Sequence, residues 1–588
     1  MRLRSTLLCA LLLTLAACST NPPVKPAEAQ RGDYRYVQEY LRWQIHKEME
    51  SNDITGLSIA LVDDQRVVWA QGFGFADLEN QVAATAQTPY RLGSMAKILT
   101  ASAAMRMAEE GRLDLDAPLS QALPGFSIKS RFSNAAPITP RNIMTHHSGL
   151  PSNYLQGMVT HNPKYFTTLV EDIRDEYVAY PPNLIFDYSN LAVTLLGAAI
   201  ENRSGMPYGD YIAQAFFEPL GMRHSYFSVE PALKGYSDGK PSEPLPLRDL
   251  PSGGLVSSVE DMARFMKMVF AGGKVGEQQV LSEHSLAEMF RPQNEHVALD
   301  LGRRMGLGWM LSGYDVQNGG VVAGHGGSVL SFQSTMIVLP EQRLGVVVAA
   351  NSTSARGVVS ELAETALKLA LEAKAGITQP PAQQQPAAIR PLSEAEAQHY
   401  AGYFDSLVGL VKIDNHSGNL DAEVLGHAFR LTPREDGSFG IRYKLFGLIP
   451  VSVAALDKIS FAMKPFEEHE LLEGHIGNES LLFGERLNKT ADITPFLDFV
   501  GSYEIVNSWE GGVKPESLAL RQEGGMLIAE CSFAQIPGLL LRMAITPISP
   551  SEAVVAGIGV GRGETLRLVR DAKEKRVYFS GLELHKIN

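Results

Sequence analysis

Apolar residues follow a helical period near the start of the chain and then give way to two strand-like runs. A helix is indicated by apolar residues at every fourth position, Val37, Leu41, Ile45 and Met49. The apolar runs 56–62 and 66–73, separated by a polar Asp-Asp pair, predict a β-hairpin directly after it. The folded part of the chain is therefore predicted to begin with a helix and two antiparallel strands.

A similar pattern returns much later in the chain. Residues 325–339 and 344–350 predict two more strands joined by a turn, and residues 356–373 predict a helix after them. One antiparallel sheet flanked by both terminal helices would unite the two ends. We therefore predict an α+β fold, with a mostly helical subdomain beside the sheet and a functional cleft between the two.

One segment of this helical subdomain is apolar almost all round. Residues 95–107 are rich in Ala, Met and Leu, charge returns only at Glu109, and Gly111 is a suitable helix stop. Such a segment predicts a buried helix that begins close to Ser94. The unpaired backbone N–H groups at its N-terminus would favour negative charge developing there.

The C-terminal third of the chain has a different character. Residues 376–391 are rich in proline and glutamine and predict a linker. Strand-like alternation follows, and the surroundings of Gly402 and Gly501 echo each other, as do residues 481–483 and 577–579. We predict two β-barrel-like modules, at 392–490 and 491–588, with a single larger β domain as the alternative.

The N-terminus is typical of an exported protein. Arg2 and Arg4 precede an apolar run too short to span a bilayer, which predicts a signal peptide over residues 1–17. The run ends in Leu-Ala-Ala-Cys, which resembles the lipobox of bacterial lipoproteins, so Cys18 is predicted to be lipidated; the alternative is a plain Ala-x-Ala type cleavage site. Residues 18–32 would then tether the folded body, residues 33–375, to a membrane of the bacterial cell envelope, facing the periplasm and best matching the outer membrane.

Composition narrows the classes of function. The chain has 588 residues and a net charge of −13, which argues against general nucleic-acid binding. With Cys9 in the signal peptide and Cys18 lipidated, Cys531 has no partner for an intrachain disulfide and is predicted to be a small core residue. No metal site is indicated, because His146 and His147 lack further ligands at suitable spacing, and we expect no cofactor.

Candidate chemistry starts at Ser94 and Lys97. Three residues apart on one helix, their hydroxyl and amine share a face. A lysine within an otherwise apolar helix is costly to bury unless it has a purpose. The pair therefore predicts a serine nucleophile activated by an amine, although chance alone produces Ser-x-x-Lys matches in a chain of this length.

Two further segments fit such a nucleophile. Residues 188–190 read Tyr-Ser-Asn, and residues 325–327 read His-Gly-Gly at the start of a strand. Their order after Ser94 resembles the penicillin-recognising serine hydrolases, in the class C β-lactamase-like branch with D-stereospecific peptidases and esterases. Other segments that resemble signatures of this family are residues 145–151, 219–222, 253–255, 261–265 and 306–309.

The resemblance implies a role for each residue. Ser94 would attack a carbonyl, Lys97 would serve as base with a lowered pKa, and Tyr188 would share or relay the proton, with the proton acceptor left open. Asn190 would orient Lys97 and contact the substrate. The backbone N–H groups of Ser94 and Ser328 would form the oxyanion hole.

The third segment departs from the pattern of penicillin-binding enzymes. His325 stands where a lysine is usual, which puts carboxylate recognition of the β-lactam type in doubt. Gly327 would let a substrate lie against the strand edge. The C-terminal modules resemble the lipocalin-like barrels of D-aminopeptidase-type relatives, and their role as spacers, dimerisation modules or substrate gates stays open.

The expected function is hydrolysis of an amide or ester through an acyl-enzyme on Ser94. A small-molecule or peptide substrate is implied, with a D-amino-acid peptide or peptidoglycan fragment preferred. A small-ester carboxylesterase and a β-lactamase are the alternatives within the same class. A non-catalytic protein that binds a cell-wall ligand is the alternative of another class.

Overall fold

The computed structural model describes residues 21–27, 30–229, 233–243, 245–380, 386–445, 449–451, 454–457, 459–467, 469–476, 479–488, 491–507, 515–533, 539–570 and 574–587. The predicted signal peptide and Cys18 lie outside these residues, as does part of the predicted linker. The domain limits therefore stay predictions. Among the helices of the described residues, none has the length and apolarity that crossing a membrane requires.

The N-terminal body mixes helices with antiparallel strands. Its α-helices are α1 Arg35–Ser51, α2 Ala96–Glu109, α3 Leu119–Ala122, α4 Pro140–Met144, α5 Leu169–Asp172, α6 Asn190–Ser204, α7 Tyr208–Ile212, α8 Glu218–Leu220, α9 Leu250–Gly253, α10 Val259–Phe270, α11 Glu283–Met289 and α12 Arg356–Ala375. Its strands are β1 Gly56–Asp63, β2 Arg66–Asp77, β3 Val82–Ala83, β4 Tyr90–Gly93, β5 Tyr226–Phe227, β6 Tyr236–Ser237, β7 Lys240–Pro241, β8 Leu255–Ser257, β9 Lys274–Val275, β10 Gln278–Gln279, β11 Ala323–Val329, β12 Phe332–Leu339 and β13 Leu344–Ala350.

Both ends of this body meet in one antiparallel sheet. Its strand order is β11-β12-β13-β1-β2-β3, so the predicted N-terminal hairpin pairs with the strands from the far end of the body. Helices α1 and α12 pack together and cover one face, and α10 packs on the other. Strand β13 is buried along its whole length because the sheet is covered on both faces. The predicted α+β fold is confirmed.

One predicted strand is wrong in its extent. Residues 325–339 form two antiparallel strands, β11 and β12, with Val329 opposite Phe332. Leu330 occupies the left-handed region at φ 50°, which allows the tight reversal between them. The prediction missed the turn because an apolar residue, rather than glycine or asparagine, stands at this position. The reversal matters because it brings Ser328 beside β4.

The helical subdomain places α2 and α6 side by side, with the short helix α9 packed against both. A Cβ on Gly197 of α6 would lie 2.1 Å from the ring of Pro251, so only glycine permits this close approach. The backbone of α9 consequently lies next to the first turn of α2.

Two β modules follow. The first contains α13 Glu394–Tyr400, β14 Gly402–Phe404, β15 Val411–His416, β16 Asn419–Val424, β17 His427–Pro433, β18 Phe439–Leu445, β19 Ile449–Val451, α14 Ala454–Asp457, β20 Ile459–Phe466, β21 His469–Ile476 and β22 Glu479–Glu485. The second contains β23 Gly501–Ile505, β24 Pro515–Glu523, β25 Met526–Phe533, β26 Leu540–Ser549, β27 Glu552–Val555, β28 Thr565–Arg570, β29 Lys575–Phe579 and β30 Leu582–Lys586.

The second module is a closed barrel of strands β23 to β30, and the first is nearly closed by a bridge between Phe404 and Arg486. The predicted β-barrel-like modules are confirmed. The echo around Gly402 and Gly501 marks equivalent first strands. The predicted equivalence of residues 481–483 and 577–579 is wrong. Residues 481–483 lie in the last strand of the first module, whereas residues 577–579 lie in the second-to-last strand of the second module.

The three units meet in one small apolar cluster. It combines Tyr180 and Leu299 of the body with Leu471 of the first module and Ile558 of the second. This cluster lies close in sequence to Tyr188, so the barrels dock against the side of the body that carries the candidate site.

Candidate active site

Ser94 lies in the turn that joins β4 to α2. The carbonyl oxygen of Ser94 accepts a hydrogen bond from the N–H of Lys97, which begins the helix and returns the lysine side chain toward the serine. The Nζ of Lys97 lies 3.2 Å from the Oγ of Ser94, and the lysine is only 2% exposed. The structure therefore brings the predicted nucleophile and base into direct contact.

The Lys97 amine is held by two further acceptors. Its Nζ donates to the Oδ1 of Asn190 at 2.7 Å and to the carbonyl oxygen of Ser252 at 2.8 Å. Burial lowers the pKa of Lys97 to about 7, although the nearby carboxylate of Asp249 opposes this shift. An amine with this pKa is partly unprotonated near neutral pH and able to accept the proton of Ser94.

Tyr188 lies against the same pair. The Lys97 Nζ is 4.8 Å from the centre of the Tyr188 ring, and the side chain of Ser94 opposes the burial that raises the pKa of the phenol. Burial raises the Tyr188 pKa, so the phenol keeps its proton near neutral pH. The residue immediately precedes α6, whose N-cap Ser189 accepts a hydrogen bond from the N–H of Ala192 and thereby fixes the helix start.

His146 supports Tyr188 from the other side, a contact that the sequence does not reveal. The two rings lie 4.3 Å apart between centres, and the Nδ1 of His146 accepts a hydrogen bond from the N–H of Ser189 at 3.2 Å. Burial and the charge of Lys97 lower the pKa of His146 well below its usual range. His146 therefore packs directly behind the candidate site.

Strand β11 supplies the opposite wall. The Nδ1 of His325 lies 2.6 Å from the carbonyl oxygen of Gly326, and burial together with the charge of Lys97 lowers the His325 pKa to about 4. His325 is therefore neutral at physiological pH and supplies no cation in place of the usual lysine.

Gly327 has a packing reason for being glycine. A Cβ at this position would lie 1.9 Å from the carbonyl oxygen of Leu92 in β4, so β11 approaches β4 too closely for any side chain. A Cβ on Gly93 would likewise lie 2.9 Å from the backbone nitrogen of Ser328. The N–H of Ser328 thus lies beside the turn that carries Ser94, as an oxyanion hole requires.

The second barrel contributes to the wall of the site. The Nδ2 of Asn190 donates to the Oδ1 of Asn153 at 2.9 Å, and the backbone oxygen of Asn153 accepts from the hydroxyl of Ser580 at 3.0 Å. The neighbouring N–H of Ser152 donates to the carboxylate of Glu564 at 2.8 Å. A chain of contacts therefore runs from the barrel through Asn153 and Asn190 to Lys97.

A buried pair of acids marks the same interface. Asp187 accepts from the hydroxyl of Ser152 at 3.3 Å, while Glu564 accepts from its N–H. Burial raises the pKa of Glu564 to about 7, and burial with the charge of Glu564 raises that of Asp187. Sequence reasoning missed these residues, because nothing in their local pattern links a barrel loop to the body.

The open volume next to Ser94 is a cavity of 210 Å³. Its walls combine the Ser94 turn with α6, α9 and the β11 turn, together with apolar side chains. The lining residues are Arg91, Ser94, Met158, Val159, Asn190, Leu245, Leu247, Ser252, Gly253, Ser328, Val329 and Leu330. A substrate carbonyl in this cavity would reach the serine hydroxyl and the Ser328 backbone together.

An α+β body with a buried lysine beside a partly exposed serine and tyrosine defines the class of serine hydrolases that activate their nucleophile with an amine. The chain belongs to the Beta-lactamase family, whose model matches residues 41–370. The expected family of penicillin-recognising and class C β-lactamase-like proteins is thereby confirmed. The individual catalytic roles of Ser94, Lys97, Tyr188, Asn190, His325, Gly327 and Ser328 stay predictions.

Curated relatives resemble the body alone. Protein flp of Staphylococcus aureus (strain MRSA252) is 25% identical over 328 residues, which are 54% of this chain and 63% of the relative. The putative penicillin-binding protein PbpX of Bacillus subtilis (strain 168) is 27% identical over 274 residues, which are 45% of this chain and 64% of the relative. The chain thus spans less than two thirds of the length of these relatives.

Solved structures extend the likeness beyond the body. The octameric penicillin-binding protein homologue from Pyrococcus abyssi is 26% identical with a TM-score of 0.51, covering 75% of this chain and 98% of that one. SurE crystallised with D-Leu has a TM-score of 0.54 over 77% of this chain and 99% of that one, and its 21% identity supports the fold alone.

The lowered pKa of Lys97 predicts the pH dependence of acylation. The base must be unprotonated, so the rate should rise about tenfold per pH unit below about pH 7 and level off above it. The raised pKa of Tyr188 keeps its phenol protonated throughout this range. Rates of Ser94 labelling by a fluorophosphonate between about pH 5 and pH 9 test this, and a rate that falls as pH rises would contradict it.

Proposed function

We propose that this chain is a serine hydrolase that cleaves an amide or ester through an acyl-enzyme on Ser94. The observation that carries the proposal is the contact of 3.2 Å between the Lys97 amine and the Ser94 hydroxyl within a buried cluster. Lys97 takes the hydroxyl proton as Ser94 attacks the carbonyl, forming the Ser94 ester bond. The bond to the leaving group then breaks, and Tyr188 passes its proton to the departing amine or alcohol and regains one from Lys97. Water then hydrolyses the ester on Ser94, releasing the acid and restoring the Ser94 hydroxyl.

The preferred substrate class is a D-amino-acid peptide or a fragment of peptidoglycan. Support comes from the similarity to a penicillin-binding protein homologue over 75% of this chain, which is more than the body alone could supply. The second barrel also packs against the body loop that carries Ser152 and Asn153, close to the site. Small esters and β-lactams are the alternative substrates.

We further propose that the enzyme is exported and lipid-anchored on Cys18, facing the periplasm. The support is the short apolar run that ends in Leu-Ala-Ala-Cys and the Pro-rich tether that follows it. Radiolabelled palmitate incorporation into wild-type protein and its loss in Cys18→Ala, with Cys531→Ala as the matched control, test this anchor.

Covalent labelling tests the hydrolase proposal. Incubation of the purified chain with a fluorophosphonate, followed by intact-mass and peptide mass spectrometry, should place one adduct on Ser94. Ser94→Ala should give no adduct, whereas Ser102→Ala, which changes a buried serine of the same helix, should label like the wild type. An unlabelled wild type, or equal labelling of Ser94→Ala, would favour the non-catalytic binding protein instead.

A panel of substrates then separates the candidate activities. D-aminoacyl amides and D-peptides, short-chain esters, and β-lactams would be compared by kcat/KM on wild-type protein that has not been exposed to the fluorophosphonate. The proposal expects the D-amino-acid substrates to be preferred, and a preference for esters or β-lactams would assign the site to the corresponding alternative.

A further inference from the structure

Arg91 lines the cavity beside Ser94 but has no part in the mechanism described above. It lies on β4, three residues before Ser94, and is 4% exposed. The strand pairs with β8 at this position, so the backbone of Arg91 is fixed by the sheet that leads into the Ser94 turn. Its side chain therefore occupies a defined place in the wall of the cavity.

The guanidinium of Arg91 lacks a carboxylate partner among the described residues. Its one hydrogen bond is from Nη1 to the carbonyl oxygen of Leu245 at 2.8 Å. Burial lowers the pKa of Arg91 to about 10, with no opposing charge to offset the shift. A buried cation in this state is costly to the fold.

The other buried arginines among the described residues each have the carboxylate partner that Arg91 lacks. Arg248 donates to the carboxylate of Asp249 at 2.6 Å, and Arg562 donates to that of Asp405 at 2.6 Å. Both pairs lie away from the cavity lining, whereas Arg91 forms part of it. The unpaired arginine is thus the one that faces the space where a substrate would lie.

The walls of this cavity contain no acidic side chain among the described residues. Besides Arg91 they present apolar side chains, hydroxyls and the amide of Asn190. With Nη1 engaged by Leu245, the Nε–H and Nη2–H of Arg91 remain as a planar fork that matches the two oxygens of a carboxylate. The neutral His325 supplies no competing cation on the opposite wall.

We propose that Arg91 binds a carboxylate of the substrate, so that the enzyme acts on an amide or ester that also carries a free carboxylate near the scissile bond. This inference rests on the proposed hydrolase function and narrows its substrate class. Arg91 is then a specificity-determining residue. From β4, it binds the substrate carboxylate that a lysine at position 325 of β11 would otherwise bind.

The test compares two substrates that differ in one group. A blocked D-dipeptide with a free C-terminal carboxylate and the same dipeptide capped as the amide would be assayed with wild type, Arg91→Gln, Arg91→Lys and Arg66→Gln. Arg66 is an exposed arginine of β2 and serves as the matched control for loss of one positive charge.

The wild type should prefer the carboxylate substrate by about 100-fold in kcat/KM, the scale expected for a desolvated bidentate pair. Arg91→Gln should lose much more kcat/KM on the carboxylate substrate than on the amide, mainly through KM, and Arg91→Lys should be intermediate. Arg66→Gln should behave as wild type. Equal cleavage of both substrates by the wild type, or an equal loss on both in Arg91→Gln, would overturn the inference.

Two readouts separate this inference from the proposed function. Fluorophosphonate labelling of Ser94 does not need a substrate carboxylate, so it should persist in Arg91→Gln. A labelled wild type without carboxylate preference overturns the Arg91 inference alone, whereas an unlabelled wild type removes the hydrolase itself. If Arg91→Gln fails to fold, the wild-type protein alone can test the inference. A blocked D-amino acid with a free carboxylate should slow fluorophosphonate labelling of Ser94, and the corresponding amide should not. Equal effects of the two compounds would overturn the inference.

Discussion

Replacing Lys97 with methionine is expected to slow acylation of Ser94 by about 10²-fold to 10⁴-fold, the range for loss of a positioned general base. Methionine fills a similar volume, but the Ser94 hydroxyl loses the amine 3.2 Å away that would accept its proton. The measurement is the second-order rate of fluorophosphonate labelling, supported by kcat/KM on the best substrate of the panel.

Stability separates a catalytic loss from a folding defect in this variant. The buried amine is held by Asn190 and Ser252, yet its lowered pKa shows that burial disfavours the charged form. Lys97→Met should therefore unfold within a few degrees of the wild type. Lys274→Met, at an exposed position of β9, should label at the wild-type rate. Labelling of Lys97→Met within tenfold of wild type would contradict the assignment of Lys97 as base.

The Ser94 and Lys97 pair could be predicted from the sequence because the relevant information is local. A spacing of three residues on a helix fixes the shared face, and the apolar surroundings fix the burial that lowers the lysine pKa. The same holds for the terminal helices and for the N-terminal hairpin, whose periodicities are strong and short in range.

The partners that hold Lys97 could not be predicted in the same way. Its acceptor in α9 is 155 residues away in sequence, and the contact uses the backbone oxygen of Ser252, which no side-chain pattern marks. Asn153, which accepts from Asn190, lies in a body loop whose neighbour Ser152 contacts Glu564 of the second barrel, and such a contact depends on the tertiary arrangement. The resemblance to a family supplied Tyr188 and Asn190, since a turn of this composition is common in any chain.

The turn at Leu330 shows where apolar patterning misleads. Strand β12 is buried along its whole length and β11 only in part, so no single strand periodicity marks the boundary between them. A reversal at a left-handed leucine leaves no glycine or asparagine signal. The misplaced boundary falls at the rim of the cavity, which is the part of β11 that bears on substrate recognition.

A buried ion pair ties the two β modules to each other. The Nε of Arg562 in the second barrel lies 2.6 Å from the Oδ1 of Asp405 in the first, and its Nη2 donates to the carbonyl oxygen of Ser406 at 2.5 Å. The side chains are 8% and 2% exposed. Burial raises the pKa of Asp405 to about 7 even though Arg562 opposes the shift, so an Asp405 left without this partner would be a costly buried charge.

Replacing Arg562 with methionine is therefore expected to destabilise the packed modules by about 3–5 kcal/mol, the cost of breaking a buried pair on one side. The raised Asp405 pKa means that the folded state holds a proton more tightly than the unfolded one. The orphaned carboxyl should thus be tolerated better at acidic pH, and the loss should grow as pH rises through about 7. Urea denaturation at acidic and alkaline pH measures both effects.

Arg521→Met breaks an exposed pair with Glu530 in the same barrel and should cost at most about 1 kcal/mol. Equal losses in the two variants, or a loss for Arg562→Met that shrinks as pH rises, would contradict this account of the interface.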